Sequence, residues 1–274
     1  MRIARFAAGG EARFGVVASG GADGPHGNGA GVPAEGPELA ELAGHPLGAM
    51  GSIRLTGTRY SLADVRLLAP IVPGKVVAIG KNYAAHAREM GGEAPDEPVI
   101  FLKPSTSVIG PADPIIRPVS LSQRVDFEGE LAVVIGKIAR NLPPERAMEA
   151  VFGYTCANDV TARDLQAKDG QWARAKGFDT FCPLGPWIET ELDPADLEIT
   201  TTVNGEKRQN SRTSLLLHDV PALISYVTAV MTQLPGDVLL TGTPDGVGPL
   251  ERGDEVSVTI QDIGTLTNRV VDSS

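Results

Sequence analysis

The chain has 274 residues, 42% of them hydrophobic and 21% charged, which is enough apolar material to bury a large core in one or two domains. A formal net charge of −10 excludes a general binder of nucleic acid or of an anionic membrane surface, while leaving room for a local cationic pocket that holds a small anion. The opening Met1-Arg-Ile-Ala-Arg-Phe6 lacks signal-peptide character and no apolar run reaches bilayer length, so the expectation is a cytoplasmic protein with no membrane partner. Cys156 and Cys182 are too few and too far apart for a disulfide framework or a zinc cluster, and read as buried free thiols.

Taken in order, Arg2–Phe6 and Ala12–Val17 alternate in the way paired strands do, with a Gly9-Gly10 turn between them. Gly20 to Gly36 is a glycine-dense surface loop with no strand-then-helix context to make it a phosphate cradle. Glu38 to Leu47 has short helical character, and Pro70 to Gly74 punctuates the pattern, dividing the chain into residues 1–70, a small β-rich domain, and residues 71–274, the main one. Val76–Ile79 and Pro98–Pro104 read as strands, and Ala84–Met90 between them as a helix. Pro143–Val151 is helical, Val151–Ala157 is a strand, and residues 165–186 lose periodicity as a loop or lid would, with Phe178–Glu189 returning to strand character. Asn204-Gly205 is a strong hairpin signal, Asp219 caps a helix to Met231 with Leu223, Ile224, Val227 and Met231 as its apolar stripe, and residues 254–271 close as a hairpin. Many strands, few helices and no sustained βαβ alternation give an α+β fold.

The stretch from Arg124 to Gly136 carries the chemistry. As a continuous strand it points Glu128 and Glu130 to one face across Gly129, just ahead of the apolar run Leu131–Ile135. Like charges so close call for a cation or a shared proton, and a divalent metal meets that need. The alternative is a pair of solvated glutamates at a strand start. On the predicted helix, His86 and Glu89 are three apart and share a face; a carboxylate beside an imidazole suits a general base near neutral pH, and the alternative is an exposed surface pair.

Phe127-Glu-Gly-Glu-Leu-Ala-Val-Val-Ile-Gly136, Asn158-Asp-Val-Thr-Ala-Arg-Asp164 and Gly242-Thr-Pro-Asp-Gly-Val-Gly248 together resemble the fumarylacetoacetate hydrolase family, from about Val72 to the C-terminus. The resemblance implies a β-rich roll of mixed sheets with a smaller N-terminal region, and a homodimer. It also implies that Glu128, Glu130 and Asp159 are ligands for Mg²⁺ or Mn²⁺, with Ca²⁺ as a non-productive occupant. Lys176 matches the family's active-site lysine, and His86 and Glu89 its His-x-x-Glu dyad; Tyr83, Arg163, Gln166 and Thr243 match substrate-binding positions. The Gly20–Gly36 insertion departs from the pattern.

Oxygen-only donors suit a hard cation. Three carboxylates around one divalent ion leave a formal charge of about −1, and a chelating 2-oxoacid makes it more negative, so Arg163 and Lys176 are the cations to expect nearby. The reading is an enzyme acting on a small 2-oxo or 2,4-dioxo carboxylate through a stabilised enolate. His-x-x-Glu tilts it toward C–C cleavage, by hydrolysis or decarboxylation, with isomerisation of a 2-hydroxyhepta-2,4-diene-1,7-dioate as the alternative. A catalytically silent metal-binding member is the second alternative.

Overall fold

A computed structural model describes residues 1–18, 37–48 and 53–274; the Gly20–Gly36 reading lies outside these. A sheet of twelve strands runs through the molecule. From one edge it passes through Leu55–Ser61, Glu38–Leu42, Glu11–Ala18, Arg2–Ala8, Cys182–Glu189, Val151–Asn158, Gly129–Ile135, Val238–Leu240, Val76–Gly80 and Val99–Lys103. Arg66–Leu68 and Val108–Ile109 join it laterally. A five-stranded sheet is built from Glu206–Arg212, Glu198–Val203, Glu255–Ile260, Gly264–Asp272 and Ile115–Arg117. The third, of three strands, is Thr161–Ala162, Val125–Phe127 and Gly248–Pro249. Parallel and antiparallel pairs are mixed: Val238–Leu240 runs parallel to Val76–Gly80 and antiparallel to Gly129–Ile135. The fold is therefore α+β and β-rich, as the patterning indicates. No helix among the described residues is long and apolar enough to cross a membrane.

The first two strands pair from Ile3↔Val16 to Ala8↔Glu11 across Gly9 and Gly10, both at positive φ. Pairing of Arg2↔Glu189 and Ile3↔Ile188 then carries these N-terminal strands into the large sheet. Gly129–Ile135 is buried at every position, as an uninterrupted apolar run requires. Leu131 and Val133 pack on one face with Leu223, Ile224 and Val227, whereas Ala132 and Val134 pack on the other with Leu184 and Ile188. The helices are α1 (Ala84–Glu89), α2 (Arg163–Asp169), α3 (Ala173–Lys176) and α4 (Val220–Val230). Asp219 caps α4 by accepting from the Ala222 amide at 2.9 Å. Leu223, Ile224 and Val227 of α4 are buried, each stabilising the fold by roughly 2 kcal/mol.

Three local expectations are corrected. Glu38–Leu42 is a strand, not helix, with Glu11–Ala18 on one side and Leu55–Ser61 on the other; two sheet partners outweigh the weak propensity of an uncapped short helix. The stretch that opens at Leu165 is not one irregular loop: ahead of the expected strand, found at Cys182–Glu189, it holds most of α2 and all of α3. The two helices bury only Leu165, Ala175 and Lys176 between them, too few anchors for a period to repeat. Finally, the strand expected through Glu128 and Glu130 is broken at Glu128. Val125–Phe127 belongs to the three-stranded sheet and Gly129–Ile135 to the large one. At the break the five-stranded sheet packs tightly, since a Cβ on Gly129 would lie 2.2 Å from Thr201 Oγ1.

Candidate active site

The antiparallel register Gly129↔Asn158 and Glu130↔Ala157 places Glu130 and Asp159 at the same edge of the large sheet. The C-terminal ends of Val76–Gly80 and Val238–Leu240 finish at that edge too, delivering α1 and the Gly242–Gly248 turn to it. Glu128 is fixed at the junction of its two strands by its own backbone. Its amide donates to Asn158 Oδ1 (2.9 Å) and its carbonyl accepts from the Asp159 amide (2.8 Å). The carboxylates of Glu128, Glu130 and Asp159 consequently meet, one oxygen of each lying within 4.8 Å of the others, and all three side chains are buried. They are not the solvated glutamates or turn aspartate of the simpler reading.

Cations surround them. Lys176 Nζ bridges Glu128 Oε2 at 2.8 Å and Asp159 Oδ2 at 2.5 Å. Arg163 donates from Nη2 to Glu128 Oε1 (2.6 Å), from Nε to Asp126 Oδ2 (2.9 Å) and from Nη1 to Gln166 Oε1 (2.7 Å). Glu130 accepts from the Gly242 amide (2.7 Å) and is hydrogen-bonded to neither Lys176 nor Arg163.

This asymmetry divides the acids electrostatically. Burial pushes Glu128 up, but the Lys176 and Arg163 charges outweigh it and hold the carboxyl well below the usual range. Glu130 goes the other way: burial, then Asp159 and Glu128, drive it well above the usual range. Lys176 loses solvation on burial, yet Asp159 and Glu128 keep its ammonium charged.

A cleft of about 300 Å³ opens onto the triad, lined also by His86, Arg163, Gln166, Trp172, Lys176, Phe101 and Thr243. His86 Nδ1 lies 3.1 Å from Glu89 Oε2, and Glu89 Oε1 accepts from the Gly246 amide at 3.0 Å. The dyad is thus braced from the glycine-rich turn, and His86 is buried at the cleft wall, leaving Nε2 as its unengaged nitrogen. The Trp172 ring packs edge-to-face on Phe101 at 5.2 Å and lies so close to Gly80 that a Cβ there would sit 2.5 Å from it. The Phe101 ring also faces the Lys176 ammonium at 5.0 Å.

Two of the expected residues differ in how they present themselves. Tyr83 is buried at the start of α1 and does not line the cleft; burial and then Glu130 raise its phenol above the ordinary value. Thr243 lines the cleft, but its hydroxyl donates to the Gly129 carbonyl (2.9 Å) and accepts from Gln209 (2.8 Å).

Sequence reasoning missed several others. Lys103 is fully buried, with Nζ 2.6 Å from Asp159 Oδ1 and 2.6 Å from the Lys176 carbonyl. Phe101 and Lys103 lie two apart on one strand and so share its face, but that spacing does not name their partners. Asp126 is buried between Arg163 and Arg124. Gln209 accepts from the Gly129 amide (2.9 Å) and donates to Thr243 and to the Pro244 carbonyl, tying the glycine-rich turn to the junction.

The donor set fits a hard divalent ion. It offers only carboxylate oxygens, already gathered on the scale of an octahedral shell spanning roughly 4.2 Å between opposite ligands. The Lys176 ammonium lies against two of the three acids, so positive charge already gathers at these oxygens.

The fold and site define a member of the fumarylacetoacetate hydrolase family, and the chain belongs to it. The family model described as fumarylacetoacetate (FAA) hydrolase, C-terminal, matches residues 75–271, and a second, Rv2993c-like, N-terminal, matches residues 1–70. Among solved structures, a 5-carboxymethyl-2-hydroxymuconate delta-isomerase from Mycobacterium smegmatis is 54% identical with a TM-score of 0.87, each chain covered in full. Maleylpyruvate hydrolase from Sphingobium sp. SYK-6, solved with manganese(II) and pyruvate, is 32% identical with a TM-score of 0.78, again over the whole of both chains. The oxaloacetate tautomerase YisK of Bacillus subtilis is 42% identical over 85% of this chain and 80% of its own.

Proposed function

We propose that the protein is a metal-dependent enzyme that moves a proton at the carbon next to the keto group of a small 2-oxo dicarboxylate, interconverting keto and enol forms. The observation carrying this reading is that His86, paired with Glu89 behind it, lines the same cleft as the carboxylate triad. Glu128, Glu130 and Asp159 would hold Mg²⁺ or Mn²⁺. When bound, the ion supplies Lewis acidity and positive charge beside the substrate's oxoacid end.

The chain's own residues do the rest. Glu89 orients the imidazole of His86, so Nε2 can take a proton from carbon and return it. Lys176 and Arg163 offset the charge of the acids, and Lys176 keeps one N–H for a substrate carboxylate. Trp172 and Phe101 wall the cleft and exclude water, which strengthens these interactions. YisK, a tautomerase by name, and the M. smegmatis isomerase support proton transfer as the first reading.

C–C cleavage is the second reading, favoured by the same dyad, because an imidazole braced by a carboxylate can equally deprotonate water for attack on a distal carbonyl. The maleylpyruvate hydrolase likeness supports it. One assay separates the two: oxaloacetate and an acylpyruvate are each supplied with Mn²⁺, following enol absorbance and release of pyruvate in parallel. Enol decay without pyruvate release supports tautomerisation; stoichiometric pyruvate supports cleavage. Failure of both with bound metal would leave a silent metal-binding member. Homodimeric assembly and a cytoplasmic location belong to the same proposal, and the two buried free thiols suit a reducing compartment.

A further inference from the structure

A second cleft, of about 400 Å³, adjoins the first and shares Arg163 and Met90 with it. Its wall includes Arg124, Asp126, Glu89 and Val247. A molecule with its oxoacid end at the carboxylate triad can therefore extend past Arg163 into this second space. Two arginines stand there in different states.

Arg163 has all three guanidinium nitrogens engaged, on Asp126, Gln166 and Glu128. Arg124 does not. It meets Asp126 along one side only, Nε on Oδ1 at 2.9 Å and Nη2 on Oδ2 at 3.1 Å. Its Nη1 has no hydrogen-bond partner among the described residues, and its side chain is 53% exposed. A guanidinium has two faces that match a carboxylate: the Nε/Nη2 side and the Nη1/Nη2 end. Asp126 occupies the first, fixing the plane of the group, and leaves Nη1 of the second without a partner among the described residues, on a side chain that lines the cleft.

Charge points the same way. Around the triad, Asp126, Glu128, Glu130 and Asp159 are matched one for one by Lys103, Lys176, Arg163 and Arg124. A divalent ion would give the assembly an excess of about two positive charges, complementary to a dianion. The carboxylate of Glu89, the remaining acid of the cleft wall, is occupied by His86 and the Gly246 amide.

We infer that Arg124, held in place by Asp126, is the specificity-determining residue that binds the second, distal carboxylate of the substrate. The inference rests on the oxoacid reading above and adds the residue that selects dicarboxylates over monocarboxylates.

The test is a binding measurement, so it does not depend on turnover. Full-length Mn²⁺-loaded protein is titrated calorimetrically with pyruvate, acetylpyruvate, oxaloacetate and 2-oxoglutarate, for the parent, Arg124→Gln and Arg124→Lys. The preference for the better dicarboxylate over acetylpyruvate should fall roughly tenfold in Arg124→Gln, the scale of one partly exposed charge-assisted contact. Arg124→Lys keeps a cation beside Asp126 and lacks the end-on fork, so its preference should fall between the two and decides the matter if Arg124→Gln does not fold. Lys81, which also lines the first cleft, is the competing cation. A preference unchanged in both Arg124 variants, or lost in Lys81→Met and retained in Arg124→Gln, overturns the assignment. Failure of every oxoacid to bind the parent would instead overturn the functional reading on which it rests.

Discussion

The ammonium of Lys103 lies 2.6 Å from Oδ1 of Asp159, and neither side chain is more than 1% exposed. The two residues are 56 positions apart, and the lysine also donates to the carbonyls of Val160 and Lys176. A cation so completely enclosed is fully hydrogen-bonded, and it positions one of the three acids that face the cleft.

Removing it has a defined consequence. Lys103→Met leaves Asp159 with Lys176 as its one cation and two carbonyls without their donor. A loss of about 3–5 kcal/mol is expected, as for other buried pairs broken from one side. Denaturant unfolding of the ion-free protein measures it; a loss under 1 kcal/mol would show that Lys103 is not the main counter-charge.

Glu130→Gln and His86→Asn should separate two roles. The first removes a candidate ligand and is expected to lower Mn²⁺ affinity strongly and abolish turnover. The second is expected to retain Mn²⁺ binding while slowing proton transfer roughly 10²- to 10⁴-fold. Calorimetry with Mn²⁺ and the enol-decay rate, run on the same preparations, provide the check. Equal loss of metal affinity in both variants would mean that His86 belongs to the ion site.

Metal loading should release a proton. Burial, Asp159 and Glu128 hold Glu130 well above the ordinary carboxylate range, so the ion-free site keeps a proton there to higher pH than a free glutamate would. An ion must displace that proton, so affinity rises with pH and falls as the medium is acidified. Titration of Mn²⁺ in two buffers of different ionisation enthalpy is expected to show protons released as the ion binds, in a proportion that grows as the pH is lowered. An identical enthalpy in both buffers would contradict it.

Gly129→Ala is expected to damage the junction beneath the site. The added Cβ would lie 2.2 Å from Thr201 Oγ1 and 3.1 Å from Gln209 Oε1, in a region with no space to yield. A cost of about 1–3 kcal/mol follows for overpacking of this kind, read as a lowered Tm. Thr201→Ala in the same background should recover part of it.

Much of this architecture was legible before coordinates. Alternation identified the first strand pair, Asn204 and Gly205 both adopt the positive φ that their hairpin needs, and Asp219 caps α4 as its position suggested. The acidic pair Glu128 and Glu130 stood out because charges rarely precede a buried run. What escaped was set by tertiary contact. Glu38–Leu42 has too few residues for a period, and only its two neighbours make it a strand. Lys103 meets Asp159, and Arg163 meets Asp126, by side chains reaching between elements, where spacing along the chain carries no information. Even the Glu128–Glu130 pair converges for a reason other than alternation, since the chain changes sheets between them.

The central claim is that Glu128, Glu130 and Asp159 hold one divalent ion beside a His86 base. A crystal grown with Mn²⁺ and oxalate, with anomalous data collected near the manganese edge, tests it most directly. The expected map has a single peak bound by one oxygen from each of the three acids, with oxalate completing the shell and His86 facing it across the cleft. A peak elsewhere, or none while Lys176 still bridges Glu128 and Asp159, would contradict the account.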